Sequence, residues 1–552
     1  MFTLSFNRTI YLEFFLAAFF LLWGLWAVPL TDIDEGAFSE ATREMLVRGD
    51  YISPWLLDQP RFDKPVLIHW LQMFFVTIFG FNEFSVRLPS ALAGLIWIMV
   101  CTAWTIDVAK LSSRSQSQNL ESDSVIDPRL TIVIMSTCIG VPIISRASTA
   151  DALLNALICL SLYLIWLAMS QRDINSQAKR YIRLSAVVIS LGLLTKGPIA
   201  LLIPVACSFF AALVARQFNM WCRLAFDYWA WLILLGVTLP WYVLQYRAQG
   251  MPFIEGFLGF HNLGRYTSTM HGFNGDFLYY ILSTSIVILP WLPRLILSLY
   301  SLIRGQHLAN RSEFSLFWIN PLFVVLFFSF SATKLPHYGF YGLTGIFLLM
   351  SLQPATKFRT DLIFTSSLLL GFASLPLWLM GIPDLIRDAY FQRVALFAFD
   401  ELTTQKIWLF VICALAGFMG LFISITPKIL LHKWSQIIAA GILAISIHHG
   451  LTPVLIQANR DSIKSAGLLI KELNIPAKTW RLTAPSLSFY AENVISDSGT
   501  PQSGDYLVLY SHLRGDLDDT LVKNQVSAEI EILMEKQGIQ LVKIKEQKTI
   551  KR

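Results

Sequence analysis

The sequence has 552 residues, of which 55% are hydrophobic and 14% charged, against about 25% charged residues in an average soluble domain. Together with 17 Trp and 40 Phe, this excludes a soluble globular chain and reads as a polytopic α-helical membrane protein. The formal net charge of +6 points to no nucleic-acid partner, because in such chains Lys and Arg gather in cytoplasmic loops and set orientation.

The first apolar run, residues 9–30, is too long for a signal-peptide core and has no small-x-small exit, so it reads as a retained helix. Apolar runs follow at 84–107, 130–147, 151–170, 182–195, 198–215, 226–246, 277–303, 314–331, 338–353, 362–380, 406–425 and 436–454, for about 13 expected transmembrane helices. Two of them, 182–195 and 338–353, are short enough to be halves of helical hairpins. The loops 108–129, 171–181, 216–225, 304–312, 354–361 and 426–435 carry most of the clustered Lys and Arg, which assigns them to the cytoplasm. The segments 31–83, 247–276 and 381–405 then face the other side, as does the chain after Leu455. The six Cys show no CxxC spacing and read as small core residues.

The character of the chain changes after 455. Residues 1–455 read as a transmembrane domain and 456–552 as a small α/β domain. There "NRDSIKSAGLLIKELNI" has helical spacing, while "TWRLTA", "DYLVLYS" and "IQLVKIKE" read as strands. The stretch "SAEIEILMEKQG" is expected to be a helix between the last two strands.

Charge concentrates just after the first span, in "DIDEGAFSEATREMLVRGDYISP". Its acids could simply favour a helix amino end. Residues 34–48 suit a helix lying on the membrane surface, and "RFDKPVLIHWLQMFFVTIFG" suits a second. Lys64 and Arg265 could merely snorkel, and Arg87 is expected to anchor its span to the interface. Yet acids, Lys64, Asp151 at a helix mouth and an Arg/His loop all fall on one face, and ionisable residues at membrane mouths point to function.

Seven segments carry a family resemblance in order over residues 30–345: "DIDEGAFSEATREMLVRGDYISP", "RFDKPVLIHWLQ", "FSVRLPSALAG", "RASTADALL", "LGLLTKGPIALLIP", "GFHNLGRY" and "SATKLPHYGFY". The sequence resembles the GT-C glycosyltransferases that use polyprenyl-phosphate-linked sugars. Within them it is similar to the bacterial aminoarabinose lipid A transferases and the related protein mannosyltransferase-like group. The resemblance implies an inner-membrane enzyme with its active site on the periplasmic side, and makes the 456–552 domain periplasmic. It implies an inverting transfer of a sugar, with 4-amino-4-deoxy-L-arabinose the candidate, from undecaprenyl phosphate to lipid A or another acceptor, protein or glycan. By the same resemblance Asp34 and Asp151 are the catalytic acids, and Lys64 and Arg265 bind the donor phosphate. Glu35, Asp63, Tyr338, Lys334 and His261 belong to the substrate pocket. Two positions depart from the family pattern: Ala37 stands where the aminoarabinose transferases carry Arg, and Asp63 stands where Glu is usual.

The chemistry suits these residue types. A departing phosphate accumulates charge that Lys64 and Arg265 could stabilise, and Asp34 could accept the proton of an acceptor hydroxyl. No cofactor is required, and the sequence contains no Walker A or GxGxxG pattern. Asp63 and His261 are a candidate pair for a divalent metal. Lys196 in "LLTKGP" reads equally well as a phosphate-facing residue and as the end of a span. The alternatives are a protein O-glycosyltransferase of the same fold, a secondary transporter, for which the internal repeats are missing, and a non-catalytic assembly partner.

Overall fold

The computed structural model describes residues 8–115, 126–268, 275–353, 358–524 and 528–546. Each expected span overlaps helix, although 9–30 is helical only to Leu22 and 338–353 begins in a 3-10 stretch, Pro336–Gly342. Among the described residues five single helices are long and apolar enough to cross a membrane, or six if the bent pair Phe358–Ala373 and Leu375–Leu385 is one span. The other spans are shorter or interrupted. Arg129–Thr137 breaks before Gly140–Ser145, and Tyr279–Val287 breaks before Leu292–Ile303. The two breaks meet: the Ile139 amide donates to the Leu289 carbonyl at 3.1 Å. A backbone group freed inside an apolar bundle needs such a partner.

The loop after the first helix (Arg8–Leu22) leads into the Asp34–Arg48 helix. That helix does not lie on a membrane surface as its pattern suggests, because its residues from Glu35 to Met45 are all buried. It is enclosed by the Leu67–Phe79 helix and by Pro485–Ala491 of the carboxy-terminal region. Asp32 accepts bonds from the Ser486 amide (2.9 Å) and hydroxyl (2.5 Å), and Arg43 donates to the Glu492 carbonyl at 3.1 Å. A Cβ at Gly36 would stand 2.6 Å from the Ser486 nitrogen, so the contact needs glycine there. Arg43 and Glu40 pair with each other (2.6 and 2.7 Å), which lets both be buried.

A two-stranded hairpin, Trp55–Leu56 with Gln59–Pro60, carries the chain onward. Its turn residues Leu57 and Asp58 have φ of 54° and 62°, and their amides are held by the Glu44 carboxylate at 2.5 and 3.2 Å. The loops expected on one side do meet. Gln249 donates to Ser53 at 3.2 Å, Arg393 donates to Ser511 at 3.2 Å, and Lys464 pairs with Glu83 at 2.5 Å.

The helix Thr452–Leu473 continues from Ile429–Ile445 through a π-helical stretch, Ser446–Leu451, so residue 455 lies inside one long helix rather than at a break. Beyond it is a four-stranded sheet in the order Ala477–Thr479, Tyr506–Tyr510, Ile539–Glu546, Ala528–Lys536. The first pair is parallel and the other two antiparallel. Residues 528–536 are thus a strand, not the expected helix, and the helix between strands is Arg514–Lys523. Ile530 and Ile532 alternate with Glu529 and Glu531, a period of two that pairing with Ile539–Glu546 rewards. Gln537 and Gly538, with φ of 45° and 82°, close that hairpin.

Candidate active site

A cavity of about 510 Å³ opens among the ends of several helices. Asp63, Lys64, His261 and Tyr338 line it, together with Lys196, Asn262, Ser331 and Tyr341. The rest of its wall is apolar, including Leu202, Leu258, Leu263, Phe327 and Phe328.

Asp63 and Lys64 leave the hairpin just before the Leu67–Phe79 helix. Both Asp63 carboxylate oxygens accept from the Arg61 guanidinium, at 2.5 and 2.9 Å. The Lys64 ammonium approaches the Asp63 carbonyl at 3.1 Å and a carboxylate oxygen at 3.4 Å. Burial works to raise the Asp63 pKa, but Arg61 and Lys64 outweigh it and hold the carboxyl well below the usual carboxylate range. The Arg61 guanidinium also sits 4.5 Å over the Phe38 ring.

Asp151 begins the helix Asp151–Met169, and Lys196 ends the helix Ser176–Lys196. Their side chains form a salt bridge behind the cavity wall, and the Lys196 ammonium lies 5.5 Å from the Tyr341 ring centroid. Lys196 is thus both a helix end and a cavity residue. The next residue, Gly197, has φ of 79°, and a Cβ there would meet the Phe257 ring at 2.6 Å. Tyr338 stacks on Phe328 with centroids 4.7 Å apart. Phe257 and His261 belong to a π-helical segment, Glu255–Gly264, that leads into the short helix Arg265–Thr267. The Arg265 side chain lies outside the described residues.

Asp34 is exposed and makes no hydrogen bond or ion pair among the described residues. It does not itself line the cavity. One helical turn on, Phe38 shares its face and packs with Ile68 and Ala150 beneath Arg61. Asp34 therefore stands at the open end of the helix face that carries Arg61 and borders Asp151.

Two expected pocket residues are placed elsewhere. The Glu35 carboxylate is consumed by Arg87 (2.8 and 2.9 Å), by the Thr31 amide and hydroxyl (2.9 and 2.8 Å) and by the Ser148 amide (2.8 Å). Burial works to raise its pKa, and Arg87 leads the groups that bring it below the ordinary value. The Lys334 ammonium is turned onto the Ser329 and Ser331 carbonyls, both at 2.8 Å. Arg87 is not an interfacial anchor either, since it is 2% exposed and reaches the Leu25, Val28 and Pro29 carbonyls besides Glu35.

The metal candidate does not fit. Asp63 has both oxygens engaged by cations, and no group of three His, Cys, Asp or Glu among the described residues could hold an ion. Arg61 went unremarked in the sequence. Its signal was there in "RFDKP", where opposite charges two residues apart flank an aromatic.

A family model described as dolichyl-phosphate-mannose-protein mannosyltransferase matches residues 63–107. An undecaprenyl phosphate-alpha-4-amino-4-deoxy-L-arabinose arabinosyl transferase of Wigglesworthia glossinidia brevipalpis is 26% identical over 79% of this chain and 74% of its own. One of the same name from Shewanella sediminis is 27% identical over 58% of this chain, and that match spans only 55% of the relative. The crystal structure of ArnT from Cupriavidus metallidurans bound to undecaprenyl phosphate superposes with a TM-score of 0.75 at 17% identity, covering 97% of each chain. In sequence and in fold, the chain resembles GT-C polyprenyl-phosphate-sugar glycosyltransferases of the aminoarabinose transferase type.

Proposed function

We propose that this protein is a membrane glycosyltransferase that moves a sugar, 4-amino-4-deoxy-L-arabinose as in its named relatives, from undecaprenyl phosphate to lipid A. The observation that carries the reading is the divided cavity. One part of its wall offers the Lys64 ammonium, beside Asp63 and the Asp151-paired Lys196, and the other an apolar surface. An anionic head on a long prenyl chain has that same division.

In the transfer, an acceptor oxygen forms a bond to the sugar C1 as the C1–O bond to phosphate breaks with inversion. Undecaprenyl phosphate leaves with the bonding electrons. Lys64 stabilises the charge that grows on the leaving oxygen, and the family resemblance assigns Arg265 to the same phosphate. Lys196 pairs with Asp151 beside the cavity. Asp34, exposed at its helix end, takes the proton when the acceptor is a hydroxyl. An acceptor that is a phosphate monoanion or dianion needs less of that help, and Asp34 then orients it. The sheet-bearing region after Leu473 covers the Asp34–Arg48 helix and fixes its entry through Asp32 and Ser486. This face of the protein is periplasmic and the bundle sits in the bacterial inner membrane, in keeping with the basic loops opposite.

The family model over 63–107 favours a second reading, a protein O-glycosyltransferase with the same donor site. Purified protein supplied with undecaprenyl-phosphate-linked aminoarabinose, lipid A and periplasmic protein separates the two. The expected outcome is a pentosylamine-sized gain on lipid A with stoichiometric release of undecaprenyl phosphate. Gain on periplasmic protein and none on lipid A would select the second reading, and release of sugar to neither would reject both. Sidedness is checked with single-Cys probes at the exposed positions Gln59, Ser268 and Ser503. All three are expected to react with an impermeant thiol reagent in intact cells.

A further inference from the structure

The donor cavity raises a question of charge. Lys64 is the residue assigned to the lipid phosphate, yet it is adjacent to an acid. The Lys64 ammonium lies 3.4 Å from an Asp63 carboxylate oxygen, and the side chains are only 11% and 17% exposed. Left alone, such a pair would be neutral, and a neutral pair is a poor receptor for a phosphate. On the cavity wall, Lys196 is already cancelled by Asp151 behind it.

Arg61 changes the balance. Its guanidinium takes Asp63 in a two-point fork, at 2.5 and 2.9 Å, shorter than either Lys64 contact. The Phe38 ring, 4.5 Å beneath, supports the guanidinium plane. The remaining nitrogen, Nη1, is buried with no hydrogen-bond partner among the described residues, and among them Asp63 is the one carboxylate that Arg61 serves. Arg61, Asp63 and Lys64 together carry one net positive charge. Without Arg61 they would carry none.

We propose that Arg61 is a positioning residue that neutralises Asp63, so that Lys64 keeps its charge for the phosphate of the lipid donor. The inference rests on the donor-site reading above. It differs from a purely architectural role, in which Arg61 would only staple the turn between the hairpin and the Leu67–Phe79 helix. The two roles diverge when Asp63 is removed as well. A staple broken at both ends is no better than one broken at one end, whereas an acid deleted along with its neutraliser restores the charge on Lys64.

The experiment is binding of undecaprenyl phosphate to the full-length purified protein, alongside KM and kcat for the sugar-linked donor. Arg61→Gln is expected to weaken binding about tenfold, the scale of one charge-assisted contact, and to act on KM more than on kcat. Asp63→Asn, which leaves two cations and no acid, should bind more tightly than wild type. The double variant Arg61→Gln/Asp63→Asn should return to within about threefold of wild type, and so should Arg61→Lys, which keeps the charge and loses the fork. A double variant as weak as Arg61→Gln, or an Asp63→Asn that binds no more tightly than wild type, overturns the proposal. If Arg61→Gln does not fold, Asp63→Asn still decides. Lys64→Ala separates the two levels of the argument. If it binds like wild type, the donor-site reading fails and takes this inference with it. If it loses affinity while the Arg61 series does not behave as stated, only the inference fails.

Discussion

The Arg87–Glu35 and Arg61–Asp63 pairs of this protein are built differently. Arg87 and Glu35 are buried and saturated, with three backbone carbonyls on the arginine and three further donors on the glutamate. Arg61 and Asp63 are also largely buried, but the arginine keeps one nitrogen without a partner and the aspartate shares itself with Lys64 beside an open cavity. Saturation marks an ion pair that holds the backbone, because nothing remains for a ligand to satisfy. A pair whose carboxylate is shared with a lysine on a cavity wall instead sets the charge that the cavity presents.

The comparison is open to attack at four points. The largest effect is expected at Asp34, which has no structural partner among the described residues. Asp34→Asn should cut turnover by about 10²–10⁴-fold, the usual worth of a positioned proton acceptor. The melting temperature should not move. Near-wild-type turnover on a hydroxyl acceptor would remove Asp34 from the chemistry. Next comes the saturated pair. Arg87→Leu strands a buried Glu35 and should cost about 3–5 kcal/mol, read as a large fall in melting temperature or loss of folded protein. Arg87→Leu/Glu35→Gln should recover part of that loss. A stable Arg87→Leu variant defective only in turnover would show that saturation does not identify scaffold.

Lys64→Ala should raise the donor KM roughly tenfold to a hundredfold, as expected for about 1.5–3 kcal/mol of charge-assisted bonding, with little change in stability. Lys334→Met is the smallest and the sharpest. Its ammonium is committed to the Ser329 and Ser331 carbonyls, so donor KM should stay within about twofold while stability drops by about 1–3 kcal/mol. A KM effect equal to that of Lys64→Ala would return Lys334 to the substrate pocket.

The sequence by itself determined where the apolar segments lie, because runs of Leu, Phe, Ile and Trp near twenty residues have few uses outside a membrane. It also placed Asp63, Lys64, His261 and Tyr338 in one candidate site, and the structure brings these four to a single cavity. Tertiary structure decided the partners of charged residues. Arg87 could not be told from an interfacial anchor until Glu35, 52 positions away, was seen against it. Lys196 stayed ambiguous until Asp151 was found on the neighbouring helix. The Asp34–Arg48 helix looked half-exposed because the surface covering it comes from residues 485–491. Local pattern failed at 528–536 for a related reason: the apolar residues there suit more than one period, and pairing with the strand Ile539–Glu546 selected period two at Ile530 and Ile532, up to the irregularity before Met534. Hydropathy is a property of a segment and can be read along the chain. Whether a charge is spent or available depends on what stands opposite it, and in this protein that is usually a residue far away in sequence.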